Sequence, residues 1–292
     1  MNPMQTELER QQLDRFLKTY RYLRVAMVGL VVVLGAALVH QLVADSWDLR
    51  PSISDYYYTP VRAVFVSALV AIGVCMIVLK GNTPWEDTFL NLAGMLSPVV
   101  AFVPTPELGR CQPGGVPADI ADNIANNVWS LLVGGVAGLL ATFVIARRSG
   151  GSLRPGRAVG GGLLISAGLL AAGAGWFLVD RDSFGCGAHF TAAIVMFVFI
   201  IAVVAWNAWG AAGEEVRHAG STTYGVLAAA MVGAAVVLGI ATWRGWVDNG
   251  VFWIELTLIT LFAIFWALQS RELWDEGVRS TDDSATPTRH RV

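Results

Sequence analysis

The chain alternates long apolar runs with short polar segments, and eight of the runs are long enough to cross a bilayer. They fall at residues 22–44, 62–80, 88–105, 124–146, 158–179, 188–210, 223–243 and 250–270, and a spanning helix needs roughly 20 apolar residues. Lipid offers the backbone no hydrogen-bond partners, so such runs must be helical. The expected fold is all-α, a polytopic transmembrane helix bundle of about eight spans over 22–276. Residues 1–21 are charged, with Leu13, Phe16, Leu17 and Tyr20 at helical spacing. They read either as a short amphipathic helix on the cytoplasmic surface or as an extension of the first span. Residues 277–292 read as a disordered cytoplasmic tail.

Punctuation agrees with these boundaries. Thr59-Pro60 reads as an N-cap followed by Pro at the first helical position. Thr83-Pro84-Trp85-Glu86 does the same, with Glu86 placed to complete a capping box. Pro98 should kink the third span. Gly134 and Gly138 form a GxxxG, and the fifth span is lean in side-chain volume; both features read as close packing within the bundle.

Composition strengthens the membrane reading: 55% of residues are hydrophobic and 14% charged, where a soluble domain carries about a quarter charged. With a cytoplasmic N-terminus, 15 of the 20 Lys and Arg fall on the inside, as the positive-inside rule requires. Both termini are then cytoplasmic. The 11 tryptophans fall near span ends, Trp266 among the inner ones, as an aromatic belt does. The outer segments carry ten acidic residues against five basic ones, a balance that concentrates cations or simply mirrors the inner positive bias.

Candidate chemistry is sparse. The chain has no P-loop, Rossmann fingerprint, GxSxG or CxxC, and nothing in it points to nucleic acid. The partner it implies is the lipid bilayer. Ionisable residues within a membrane are functional candidates by default. Here Asp55, Tyr56, Tyr57, Tyr58, Arg62 and Glu255 share the outer interface and form a candidate ligand-binding group, with Arg62 placed to pair with Asp55 or Glu255. The alternative is a clamp that closes the outer face. His40, His189 and a carboxylate could hold zinc with an activatable water. However, the H-x-x-x-H pair of the membrane hydrolases that include alkaline ceramidases is missing. Asp119 and Asp122 begin a polar stripe whose oxygens suit another cation, or simply a solvated helix end. Cys111 and Cys186 fall in outer loops and are expected to form a disulfide.

The run Ser52-Ile-Ser-Asp-Tyr-Tyr-Tyr-Thr59-Pro-Val-Arg62 resembles a group of uncharacterised multi-pass bacterial membrane proteins that carry an S-x-S-x-Y-Y-Y-T segment before the second span. Asn91-Leu-Ala-Gly94, Pro104-Thr105 and Glu255 match further elements of that pattern. The resemblance implies a polytopic fold in a bacterial plasma membrane and no particular activity. The functional expectation is a membrane protein binding a lipid headgroup or small ligand at its outer face. A metal-dependent lipid hydrolase and a small-solute or cation transporter are the alternatives.

Overall fold

The computed structural model describes residues 3–107, 111, 118–149, 157–210 and 220–274. Among them are eight α-helices and no strand: α1 (Pro3–Ala44), α2 (Arg62–Val78), α3 (Pro84–Phe102), α4 (Ala118–Ser149), α5 (Arg157–Val179), α6 (Arg181–Gly210), α7 (Gly220–Trp243) and α8 (Gly250–Glu272). A short 3-10 helix, Ser54–Tyr58, precedes α2. Six helices, all but α2 and α3, are long and apolar enough to cross a membrane. Large apolar side chains such as Val133, Leu140, Leu164 and Val237 lie exposed on their outer faces. A soluble protein does not leave so much apolar surface uncovered. The chain is therefore an all-helical membrane protein.

One expectation narrows and another changes. The amino-terminal segment takes the second of its two readings, an extension of the first span: α1 runs unbroken for 42 residues, with Pro3 in its first turn, where the missing N–H costs nothing. Rings of Phe16 and Tyr20 sit 4.9 Å apart along it. The second helix starts later than Thr59-Pro60 implies. Val61 is its N-cap, while Thr59 Oγ1 accepts the Val61 N–H at 3.2 Å and donates to Tyr56 O at 2.7 Å. The Thr83 cap holds, its side chain accepting from the Glu86 N–H at 3.2 Å, but Glu86 makes no capping box and turns elsewhere. The tail at 277–292 lies outside the described residues.

Packing orders the helices in a closed ring, α1–α2–α3–α6–α7–α8, with α1 and α8 adjacent. Its core joins Met27, Met76, Leu90, Met196, Val204, Met231 and Phe262. Trp266 belongs to this core and not to a belt: it is buried against Phe262 and Phe265. The pair α4–α5 stands outside the ring, against α3 and α6. One apolar cluster fixes the pair at one end, where Ile124, Val128 and Phe177 meet Val103, Phe184 and Ala188. The Cys111–Cys186 disulfide (Cα–Cα 5.7 Å) adds a covalent tie to α6 near that cluster. This end carries the 3-10 helix and is called the tyrosine face below; the other is the Lys80 face.

Candidate functional site

The tyrosine face is built by docking residues 49–54 along one face of α8. Asn249 Nδ2 donates to Leu49 O at 3.2 Å, and Phe252 N donates to Pro51 O at 3.0 Å. Glu255 accepts from Ile53 N at 2.6 Å, Ser54 N at 3.1 Å and Ser54 Oγ at 2.8 Å. Residues three apart share a helix face, so 249, 252 and 255 meet alternate residues of the incoming chain. The carboxylate thus satisfies N–H groups that the start of a helix leaves without partners.

Each polar residue of the S-x-S-x-Y-Y-Y-T run has a comparable task. Ser52 Oγ accepts the Asp55 N–H at 3.0 Å. Asp55 is buried and pairs with Arg50 at 2.9 Å. Tyr56 OH accepts the Arg50 N–H at 3.4 Å. Arg62, expected to pair with Asp55 or Glu255, instead donates to Tyr57 OH at 2.6 Å, with its guanidinium 4.2 Å from that ring centre. Tyr58 OH donates to Thr105 O at 2.8 Å. Burial, aided by the nearby Glu107 and Asp55 carboxylates, pushes the Tyr58 phenol up to about 12, and burial also raises Tyr56. Both hydroxyls therefore stay protonated at neutral pH.

The chain leaving α3 is gripped from three sides. Asn127 Nδ2 of α4 reaches Phe102 O at 3.4 Å, His189 Nδ1 of α6 reaches Val103 O at 2.8 Å, and Tyr58 takes Thr105 O. A carbonyl can only accept, so Nδ1 of His189 carries its proton there. The residue is fully buried, whereas His40 lies exposed on α1. Among the described residues no three His, Cys, Asp or Glu side chains gather to hold a metal ion. Asp122, Asn123 and Asn126 form an exposed face of α4, opposite buried Ile124 and Val128. Asp119 falls in the first turn of α4, and its side chain is outside the described part.

The Lys80 face contains a polar cluster that the sequence reading missed. Buried Glu86 accepts from Asn82 N at 2.8 Å and from Asn207 Nδ2 at 2.8 Å. Gln269 Nε2 donates to Asn207 Oδ1 at 3.2 Å. The cluster links the start of α3 to α6 and α8. Arg24 of α1 is buried at the same end, its guanidinium 5.8 Å from the Tyr20 ring centre.

Both clusters spend their polar groups on the fold, and the space beside Glu255 and Ser54 is only about 70 Å³. A cavity of about 670 Å³ lies instead between α3 and α6 on one side and α4 and α5 on the other. Glycines make the room. Gly134, Gly138 and Gly173 all line it, and a Cβ at any of them would meet nothing within 4 Å. The GxxxG therefore faces open space and packs no helix. Leu131, Leu139, Leu163 and Leu170 supply apolar wall; Asn91, Ser166 and Thr191 interrupt it. Of the three, only Asn91 figures in the sequence reading, as the start of the Asn91-Leu-Ala-Gly94 element. Glycine density in the fourth and fifth runs was the signal for the cavity. Comparison with protein-family models, with curated proteins and with solved structures returned no match.

Proposed function

We propose that this chain is an eight-span protein of a bacterial plasma membrane, with both termini cytoplasmic, that binds an amphipathic lipid in the cavity between the helix ring and the α4–α5 pair. The cavity carries the reading. At about 670 Å³ it lies within the range of small-molecule sites. Its walls are apolar with a few polar groups, as amphiphile binding requires.

The span count and orientation rest on other support. The place of α2 and α3 in the ring between α1 and α6 supports counting them as spans. The basic residues favour the Lys80 face as cytoplasmic. A disulfide near the tyrosine face suits an oxidising exterior. The bacterial plasma membrane follows from the resemblance carried by Ser52–Arg62. On this reading the tyrosine-face cluster closes the bundle, and the ligand lies between α3, α6 and the outlying pair.

Native mass spectrometry of protein purified in mild detergent tests the reading. Wild type should carry a lipid adduct. Gly138→Leu and Gly173→Leu should lose most of it while melting at the wild-type temperature, since neither glycine has a neighbour to displace. A lipid adduct retained in full by both variants would sink the proposal.

A further inference from the structure

The polar residues of the cavity specify the kind of amphiphile, an inference that rests on the lipid-binding reading above. Asn91 lies seven residues into α3 and Ser166 nine residues into α5, placing them roughly 10 and 14 Å from the Lys80 face. Thr191 stands apart: it is two residues from His189, which holds Val103 O beyond the end of α3, and so lies near the tyrosine face. Asn91 and Ser166 therefore share one level of the cavity within the membrane interior. Neither makes a side-chain hydrogen bond to another described residue, although serines and threonines elsewhere in the bundle bond back to the preceding turn, as Thr88 and Thr142 do at 2.8 and 2.9 Å. An amide and a hydroxyl without partners are costly in hydrocarbon.

Charge narrows the ligand further. Among the described lining residues only Lys80 and Asp87 are charged. They pair with each other at 3.5 Å at the Lys80 face, a turn or more from Asn91. Nothing at the level of Asn91 and Ser166 would neutralise a phosphate or an ammonium, which the membrane interior penalises heavily. Asn91 and Ser166 can each donate and accept. We infer that the cavity selects an uncharged amphiphile whose carbonyl or hydroxyl oxygen lodges against Asn91 and Ser166.

Delipidated protein in a maltoside detergent should be titrated with dioctanoylglycerol and with dioctanoylphosphatidylglycerol, which share tails and differ in head charge. The neutral probe is expected to bind wild type at least tenfold tighter. Asn91→Leu and Ser166→Ala should each weaken it about tenfold, and Lys80→Gln should leave it unchanged. The two variant sets act on different helices, so misfolding of one leaves the other informative. Tighter binding of the anionic probe, weakened by Lys80→Gln, would overturn the inference and place an anionic headgroup at the Lys80 face. Equal binding of both probes, unaffected by either variant set, would overturn it while leaving the cavity as a lipid site. If neither probe binds wild type and Gly138→Leu is also without effect on co-purified lipid, the lipid-binding reading itself has failed.

Discussion

Glu255 is the residue on which the tyrosine face converges, because one carboxylate serves two backbone amides and a hydroxyl. Its removal leaves two backbone N–H groups without an acceptor. Glu255→Ala should therefore lower stability by about 2 kcal/mol, the scale of buried donors left unsatisfied, read as a shift in the denaturation midpoint in detergent. That Glu255 and residues 52–62 belong together was legible from their shared depth. Their partners were not. Arg62 found Tyr57 because the 3-10 helix turns that ring toward it, and Arg50 found Asp55 five residues on. Such pairings depend on the local path of a non-helical segment, which hydrophobic periodicity does not encode.

At the level of elements, glycine plays two opposite parts. Gly73 of α2 and Gly94 of α3 let two backbones touch: a Cβ on Gly94 would lie 2.6 Å from Gly73 O, and one on Gly73 2.8 Å from Gly94 O. Gly168 of α5 has nothing within 4 Å. Gly94→Ala should cost about 1–3 kcal/mol by forcing α2 and α3 apart. Gly168→Ala should be neutral or stabilising by up to about 1 kcal/mol, since alanine is the better helix former. Thermal unfolding of the two variants side by side separates these roles; equal effects would show that the α2–α3 crossing is less tight than described. Helix positions were legible to within a few residues because apolar runs and N-caps are local signals. Which glycines pack and which open a cavity depends on helix order, and sequence spacing misread Gly134 and Gly138 for that reason.

For the whole molecule, the ring of six helices and the outlying α4–α5 pair set what holds and what yields. The ring shares one extended core, whereas the pair is fixed by a small cluster at the tyrosine face and by Cys111–Cys186. Replacing both cysteines by serine should cost about 4 kcal/mol by the chain-entropy scale for a loop of this length. The loss should appear first as faster hydrogen exchange in α4 and α5, with the ring little changed. The disulfide itself was legible from two cysteines expected in segments at the same end of the bundle, and the membrane class from composition. The ring was not, because adjacency in sequence places α3 beside α4 while packing carries α3 on to α6. The crosslink joins residues 75 apart, and the intervening chain contains all of α4 and α5. The wall of the cavity is thus part of a covalent ring closed by oxidation. Both helices can be inserted before that bond exists, so the wall of the compartment is locked by an oxidation at the tyrosine face only after synthesis has passed it by.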